Sequence, residues 1–441
     1  MKIIIAGGGI SGLILYLYLR KHLSPALSPA EPLDIQIYEK HPHRTNSPSA
    51  DSRTLTLGGF LAIAPNGLRV VRDLDPHLFE AIKTAGSSQR SFRLRSANGW
   101  NLGSFPSESN GLPSLVIGRH KLWEVMREKI PDDAIVYSPV QSLAFPNDND
   151  KDGLASLTVG ENADEKIEAD IIIGADGVHS AIRPSIVPSD PSLTKANYVG
   201  LVGIGGLLPS NTTLPSPTPP ESMTMTFGPN GFFGYGAISG SAAGWWSTYS
   251  LPTPPKSNKD IKPNDVIKQL HERHKDWSDP NIAAFINDVR VDSVYPTWVT
   301  PSLPTWSRGN AVLVGDAAHA MQPSSGQGVS QALEDCQVLA LFLAHYMGKE
   351  DTRQANIRLA FSAYEKLRKP RAQRCVDRGN QMGNMKRKLS KPAEFAVYGL
   401  MWGLAHWPWD SWSAFLYGNV PGEEARKVIE QGKKGNEKLR K

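Results

Sequence analysis

The N-terminal stretch MKIIIAGGGISGLILYLYLRK leaves few folds open. An apolar, β-branched strand (KIIIA) runs into Gly7-Gly8-Gly9-Ile10-Ser11-Gly12, and a segment of helical length follows. A strand that ends in G-x-G-x-x-G and opens a helix is built for close approach of backbone to a ligand. Gly7 permits the tight turn, Gly9 lets the backbone reach a pyrophosphate, and Gly12 lets the helix lie against the strand. Free N–H groups and the positive dipole end at the helix start then favour phosphate. A Pro-rich connector, SPALSPAEP, leads to a second strand, DIQIYEK, where Glu39 can bond a ribose hydroxyl and Lys40 stands beside it. Glu39 lies farther from the glycines than the usual spacing of about twenty residues, and the connector accounts for the extension. The unit is β-turn-helix-β, the opening of a doubly wound α/β sheet. It does not distinguish NAD from FAD.

The same stretch has a Lys and an apolar run, as a signal peptide does. The motif glycines and the lack of a small-residue cleavage site before Arg20 argue against one. With 441 residues, 40% hydrophobic and 21% charged, the chain has a soluble globular composition and room for two or three domains. The net charge of +5 owes much to the tail EEARKVIEQGKKGNEKLRK, and no basic cluster interleaved with aromatics supports nucleic-acid binding. Two cysteines, Cys336 and Cys375, make neither a disulfide framework nor a CxxC site, so a reducing, cytoplasmic setting is expected. His271 and His274 have no Cys or Asp cluster beside them, and no metal is expected. The Trp-rich FAVYGLMWGLAHWPWDSWSAFLYG is broken by His406, Pro408 and Asp410 and falls short of the ~20 apolar residues of a membrane span. Buried helices or a partner surface suit it, and weak membrane-surface contact stays open because Trp favours the interface.

Further along, TNSPSADSRT reads as a polar loop, GFLAIAPNGLRVVRDLD as a loop entering a helix at Pro65, and RHKLWEVMREKI as a helix. IVYSPVQSLAF and LASLTVG alternate as antiparallel strands around the turn-rich PNDNDKDG. From about Tyr198 to Val299, short strands alternate with Gly and Pro: YVGLVGIGGLL, MTMTFG, FFGYGAI and GWWSTYS, then a helical DVIKQLHERH. This is an inserted, mainly antiparallel sheet domain. There is no internal repeat.

Two later motifs return to α/β character. In ADIIIGADGVHSAIR an apolar strand ends at Gly174, and Asp176-Gly177 form a turn. In NAVLVGDAAHAMQPSSGQGVSQALEDC a strand delivers Gly315-Asp316 to a loop stiffened by Pro323, and a helix follows Gly328. Asp316 can accept hydrogen bonds from the hydroxyls of a cofactor chain. Gly326 and Gly328 let the backbone approach a planar ring, toward which the following helix points its N-terminus. His319 reads as a structural member of this loop, His179 as a turn residue, and Trp245 and Trp246 as sheet residues.

In this order, GGGISG with Glu39, GGFLAIAPNGLRVV, GRHKLW, IIIGADGVHSAIR and GDAAHAMQPSSGQGVSQALEDC resemble the single-component FAD-dependent monooxygenases of the para-hydroxybenzoate hydroxylase fold, including salicylate hydroxylase-like enzymes. The resemblance covers most of the first 345 residues. It implies a discontinuous Rossmann-type FAD-binding domain (1–75, 100–190 and 300–375), an inserted antiparallel substrate domain (76–99 and 191–299) and a helical C-terminal segment (376–441). It implies that Gly7, Gly9, Ser11, Gly12, Glu39 and Lys40 hold the ADP half of FAD, with Glu39 on the adenosine ribose. Arg119 would reach the FAD, Asp176 would lie near it and near a transient nicotinamide site, and Asp316 would hold the ribityl or pyrophosphate region. Gly315, Gly326, Gly328 and Val329 would border the rest of the cofactor. Two features depart from the family pattern: Ser330 where Asn is frequent, and a polar insertion before Gly58.

A single G-x-G-x-x-G argues against a separate nicotinamide domain, and Trp245-Trp246 do not form the signature of flavin halogenases. NADH or NADPH would visit to reduce the flavin. O2 would then give an FAD C4a-hydroperoxide that passes one oxygen atom to the substrate by hydroxylation or epoxidation. An electrophilic oxygen donor needs π electrons, so an apolar aromatic or olefinic small molecule is expected. The pocket is expected between Gln322–Pro323 and the inserted sheet, where alternation sends Phe233 and Tyr235 to one face and Tyr235 can orient a hydroxyl. An FAD-dependent dehydrogenase or reductase without oxygen insertion, and a flavin-binding protein without turnover, are the alternatives.

Overall fold

The computed structural model describes the chain except residues 28–30, 42–58, 147–153, 209–210, 230, 239–242, 255–261, 288–292, 350, 385–389, 407–409 and 440–441. The insertion before Gly58 and most of PNDNDKDG therefore lie outside the described residues.

A six-stranded sheet organises the N-terminal motif. Lys2–Ala6 lies between Asp34–Tyr38 and Ile171–Gly174 and is parallel to both. Ala311–Leu313 pairs outside Ile171–Gly174, Ser307–Arg308 closes that edge antiparallel, and Ile135–Val136 closes the other. Ile3, Ile4 and Ile5 are wholly buried, as a strand covered on both faces requires. The chain leaves Lys2–Ala6 toward Asp34–Tyr38 and later returns on its opposite side. The carboxyl ends of Lys2–Ala6 and Ile171–Gly174 thus frame the crevice where such sheets bind ligands. Helix Gly328–Met347 is buried at every position from Ser330 to Leu343 and forms the centre of the main core.

A seven-stranded sheet carries, in spatial order, Ser293–Val299, Asn197–Leu208, Ala243–Ser250, Gly231–Gly236, Ser222–Gly228, Ser91–Ser96 and Asn101–Pro106. All its pairings are antiparallel except that of Ser222–Gly228 with Ser91–Ser96. Helices Pro263–His274 and Pro280–Asn287 cover one face through Val202, Ile204, Phe233, Trp245 and Phe285. On the other face, Phe227 and Phe232 meet Tyr398 and Met401 of helix Lys391–Ala405, while Met223, Ile238 and Trp246 meet Phe60 and Val116. Phe60 and Val116 belong to a smaller sheet of Phe60–Ile63, Leu112–Gly118 and Ser87–Gln89.

Some segments cross the expected divisions. Asn101–Pro106 pairs with Ser91–Ser96 in the large sheet, and helix Pro76–Ala85 buries Leu78, Phe79 and Ile82 in the core of the first sheet. The continuous helix Arg353–Asn384 runs through residue 375. IVYSPVQSLAF is two strands rather than one. Pro139, which lacks an N–H, separates Ile135–Val136 from Val140–Ala144, and the latter pairs with Ser156–Val159 in a fourth sheet.

Candidate active site

The glycine loop takes its shape from contacts that only glycine allows. Gly7 has φ +110°, and a Cβ there would sit 2.4 Å from the carbonyl oxygen of Ala175. A Cβ on Gly12 would sit 1.9 Å from the Gly7 carbonyl oxygen, so the first helix, Ile10–His22, lies directly on the turn. Gly9 caps that helix, and nothing lies within 4 Å of the space its side chain would fill. No side chain caps the helix and no acid occupies its first turn, which leaves its N-terminus open to an anion. The Glu39 carboxylate accepts from Gly8 N at 2.8 Å and His41 N at 2.9 Å. Trp123 of GRHKLW donates Nε1 to the Gly8 carbonyl at 2.8 Å. Sequence reasoning missed this Trp, although its motif stood out.

Gly7 brings the second motif to the first, because a Cβ there would also lie 3.0 Å from Asp176 Cα. Asp176 Oδ2 accepts from Ala181 N at 2.7 Å, whereas Oδ1 is buried with no partner among the described residues. Burial pushes this carboxyl above the ordinary range, against the Ser180 hydroxyl and the Ala181 and Ile182 N–H groups. A buried acceptor left open beside the glycine loop suits a donor from a bound molecule.

The third motif closes the same crevice. Gly315, at φ +58°, lies between Ser11 and Ala332: a Cβ there would sit 2.8 Å from Ser11 Oγ and 3.1 Å from Ala332 Cβ. Asp316 is the one exposed residue from Ala311 to Gln322. An exposed carboxylate in an otherwise buried run, at the carboxyl end of a parallel sheet, is placed for a ligand hydroxyl. Gly326 has φ +62°, and neither it nor Gly328 has a neighbour within 4 Å of a built Cβ. Helix Gly328–Met347 starts there with no side-chain cap and no acid in its first turn. The open cradles at Gly9, Gly326 and Gly328, the open acceptor on Asp176 and the exposed Asp316 all fit a dinucleotide carrying a planar ring.

Ser330 departs from the family pattern for a local reason. Its Oγ accepts from Ala64 N at 2.9 Å, and a Cβ on Gly67 would sit 2.7 Å from that oxygen. A larger residue at 330 would collide with helix Pro65–Leu74. Ser330 therefore serves the packing of protein on protein.

Beneath the loop lies an ion-pair network that sequence reasoning did not find. Glu334 and Asp335 are fully buried, and Arg368 of the long helix bonds both, with Nε 2.8 Å from Asp335 Oδ1. Arg371 adds Nε to Glu334 Oε2 at 2.7 Å and Nη1 to the Phe415 carbonyl at 2.9 Å. Asp335 Oδ2 receives Gly315 N at 2.9 Å and lies 2.6 Å from His319 Nε2. Burial opposes ionisation of both acids, yet Arg368 with Arg371 at Glu334, and His319 with Arg368 at Asp335, hold them below the usual carboxylate range. His319 is thus structural, as expected. The available signal was two adjacent acids in the mostly apolar run ALEDCQVLALF.

Other expected residues are dispersed. Arg119, at the start of helix Arg119–Arg127, is exposed, Lys40 is exposed beside Glu39, and Val329 packs partly against the main core. Pro323 is exposed on the loop between Asp316 and helix Gly328–Met347. Gln322 is not pocket-facing: its side chain turns into the long helix, with Nε2 3.0 Å from Asn380 Oδ1. Tyr235 is not pocket-facing either. With Phe233 it faces helices Pro263–His274 and Pro280–Asn287, and its hydroxyl donates to Asp279 Oδ2 at 2.9 Å.

The opposite face, which meets Phe60, has aromatic rings laid on glycines. A Cβ on Gly234 would sit 2.3 Å from the Trp246 ring, and one on Gly203 would sit 2.2 Å from the Tyr295 ring. Phe60 packs edge-on to Trp246 at 5.4 Å, and its strand continues to Ala64, bonded to Ser330 of the flavin-side helix.

Comparison with known proteins agrees with this geometry. The chain is 26% identical over 391 residues to aurachin C monooxygenase/isomerase of Stigmatella aurantiaca, covering 87% of this chain and 89% of that one. It is 26% identical over 377 residues to 3-amino-4-hydroxybenzoate 2-monooxygenase of Streptomyces cremeus, covering 84% of each. A salicylate hydroxylase in complex with substrate superposes with a TM-score of 0.72 over 97% of both chains at 18% identity, a likeness of fold. The family described as FAD binding domain matches residues 88–379. The protein belongs to that family and is an FAD-dependent oxidoreductase of the monooxygenase kind.

Proposed function

We propose that the protein inserts one oxygen atom from O2 into an apolar aromatic or olefinic small molecule, using NADH or NADPH as reductant. Bound FAD supplies the oxygen-transfer chemistry. The chain's own residues bind, orient and keep the site dry. The glycine loop, Glu39 and Asp176 would hold the ADP half, with Arg119 and Lys40 at its rim. Asp316 would hold the chain between phosphate and ring, and Gly326 and Gly328 would admit the ring edge beside Pro323. The start of helix Gly328–Met347 favours negative charge on a reduced ring. The observation that carries the substrate class is the aromatic floor of Trp246 and Tyr295, set flat on Gly234 and Gly203 on the sheet face reached by Phe60. Tyr295 is 37% exposed, and its phenol, neutral at physiological pH, can donate a hydrogen bond on that face. One relative is named for an aminohydroxybenzoate, an aromatic ring, which supports the aromatic part of this class.

A cytoplasmic location and weak contact of the Trp-rich C-terminal segment with a membrane surface complete the reading. Both cysteines are free and buried, and no helix among the described residues is long and apolar enough to cross a membrane. The test is a panel of apolar aromatic and olefinic compounds turned over under labelled O2, with products read by mass spectrometry. One labelled oxygen atom per product is expected. Substrate reduced at the expense of NAD(P)H without label would establish a reductase instead, and substrate oxidised without label or NAD(P)H consumption a dehydrogenase.

A further inference from the structure

Helix Lys391–Ala405 has a buried face and an outward face of opposite character. Inward, Glu394, Tyr398 and Met401 are buried, and Tyr398 Oη lies 2.5 Å from Glu394 Oε1 and 3.0 Å from the Phe227 carbonyl. Outward, every exposed residue from Phe395 to Leu404 is apolar: Phe395, Ala396, Gly399, Leu400, Trp402, Gly403 and Leu404. Leu400 is 56% exposed and Trp402 55%. Trp100, half exposed on the turn before strand Asn101–Pro106, extends the patch, with its ring 5.8 Å from that of Phe395. A soluble helix normally turns charge outward, and an apolar face of this size marks an interaction site.

We propose that this face docks on the surface of an anionic lipid bilayer. Trp and Phe suit the headgroup boundary, where an amphipathic helix lies in the plane with its apolar side immersed. Lys391 is exposed in the first turn, and Lys386, Arg387 and Lys388 lie within five residues of it in sequence. No acid stands between Met385 and Ala393, and the one acid of the helix, Glu394, is turned inward. Anionic headgroups complement that charge. The helix rests through Tyr398 and Met401 on the sheet face that also carries Trp246, so docking sets the proposed substrate floor beside the lipid phase. The inference extends the membrane contact proposed above, and its test reads binding alone, so that it fails independently of oxygen insertion.

The experiment is flotation of the FAD-loaded protein with vesicles of phosphatidylcholine containing about 30 mol % phosphatidylserine, beside vesicles of phosphatidylcholine alone. Wild type is expected to float with the anionic vesicles. Its bound fraction should fall roughly ten-fold with neutral vesicles and in the variant Phe395→Ser/Leu400→Ser/Trp402→Ser. The variant's FAD absorbance and thermal midpoint serve as the folding control, and Lys391→Glu alone, which leaves the apolar face intact, should weaken flotation. The proposal is overturned if wild type stays at the bottom of the anionic gradient, if neutral vesicles bind equally, or if the triple variant floats as wild type does. A wild-type dimer that the triple variant converts to monomer, without vesicle binding, overturns it in favour of a second copy.

Discussion

A methyl group built on Gly383 would sit 1.8 Å from Oε1 of Gln322. The loop between Asp316 and helix Gly328–Met347 therefore rests on the long helix with the Gln322 amide filling the space that a side chain at 383 would take. One turn earlier, a Cβ on Gly379 would lie 3.2 Å from the Gln322 carbonyl and 3.5 Å from Ser325 Cβ. Gly383→Ala should push the loop and Pro323 toward the ring. We expect FAD to stay bound and the yield of product per NAD(P)H to fall several-fold, with peroxide released instead, because small misplacements at a reacting centre cost roughly 10- to 100-fold. Peroxide and product measured in one assay check this, and full coupling in the variant would show that the seat is irrelevant.

Asp316→Ala should weaken FAD binding by about 1–3 kcal/mol, the loss of a charge-assisted hydrogen bond to the cofactor. Asp316 is exposed, so the apo-protein's thermal midpoint should stay within a degree or two of wild type. Titration of apo-protein with FAD, beside a melt without FAD, separates the two effects. Undiminished FAD affinity would remove Asp316 from the site.

Replacing Arg368 by Met leaves two fully buried carboxylates without their shared cation. Breaking such a pair from one side costs about 3–5 kcal/mol, which should appear as a large drop in denaturation midpoint. Because Asp335 also holds Gly315 N, FAD retention should fall with it. Wild-type stability in the variant would mean that Arg371 alone suffices.

Acid should loosen the inserted sheet before the ion-pair network. Burial, with Arg273 adjacent and against a hydrogen bond to the Leu270 carbonyl, lowers His274 to about 3. The unfolded chain takes up that proton below about pH 6.5, so between these values the unfolded state binds more protons. Stability then falls as pH drops, by up to about 1.4 kcal/mol per unit, or about 2 kcal/mol from pH 6.5 to 5. Glu334 and Asp335, with depressed values, contribute stability above about pH 4 that is lost only on further acidification. Melting curves from pH 7 to 4 should show the first slope, and His274→Gln should flatten it. An unchanged slope in that variant would assign it to other groups.

The sequence was most informative where physics is local. Strand, glycine turn and helix at 2–22, and again at 311–347, are short-range patterns, and the order of five motifs tied them to one fold. Alternation correctly put Phe233 and Tyr235 on one face of the sheet but could not say which face looks at the flavin side. Both faces are covered, one by helices 263–287 and the other partly by helix 391–405, so hydrophobicity marks neither as the inner one. Gln322 misled for a different reason. Its side chain is directed by Gly379, Asn380 and Gly383, far along the chain, and no pattern near Gln322 reports them.

Pairing of Lys2–Ala6 with Ile171–Gly174 also constrains biosynthesis. At about 5–20 residues per second, the ribosome needs on the order of ten to thirty seconds to deliver the second partner strand after the first has emerged. During that interval Ile3, Ile4 and Ile5 present an apolar strand with one edge unpaired, the kind of segment that nascent-chain chaperones shield. A fragment that ends before Ile171 keeps that edge permanently, so the N-terminal nucleotide unit carries an aggregation liability that the whole chain removes, however complete its motif looks.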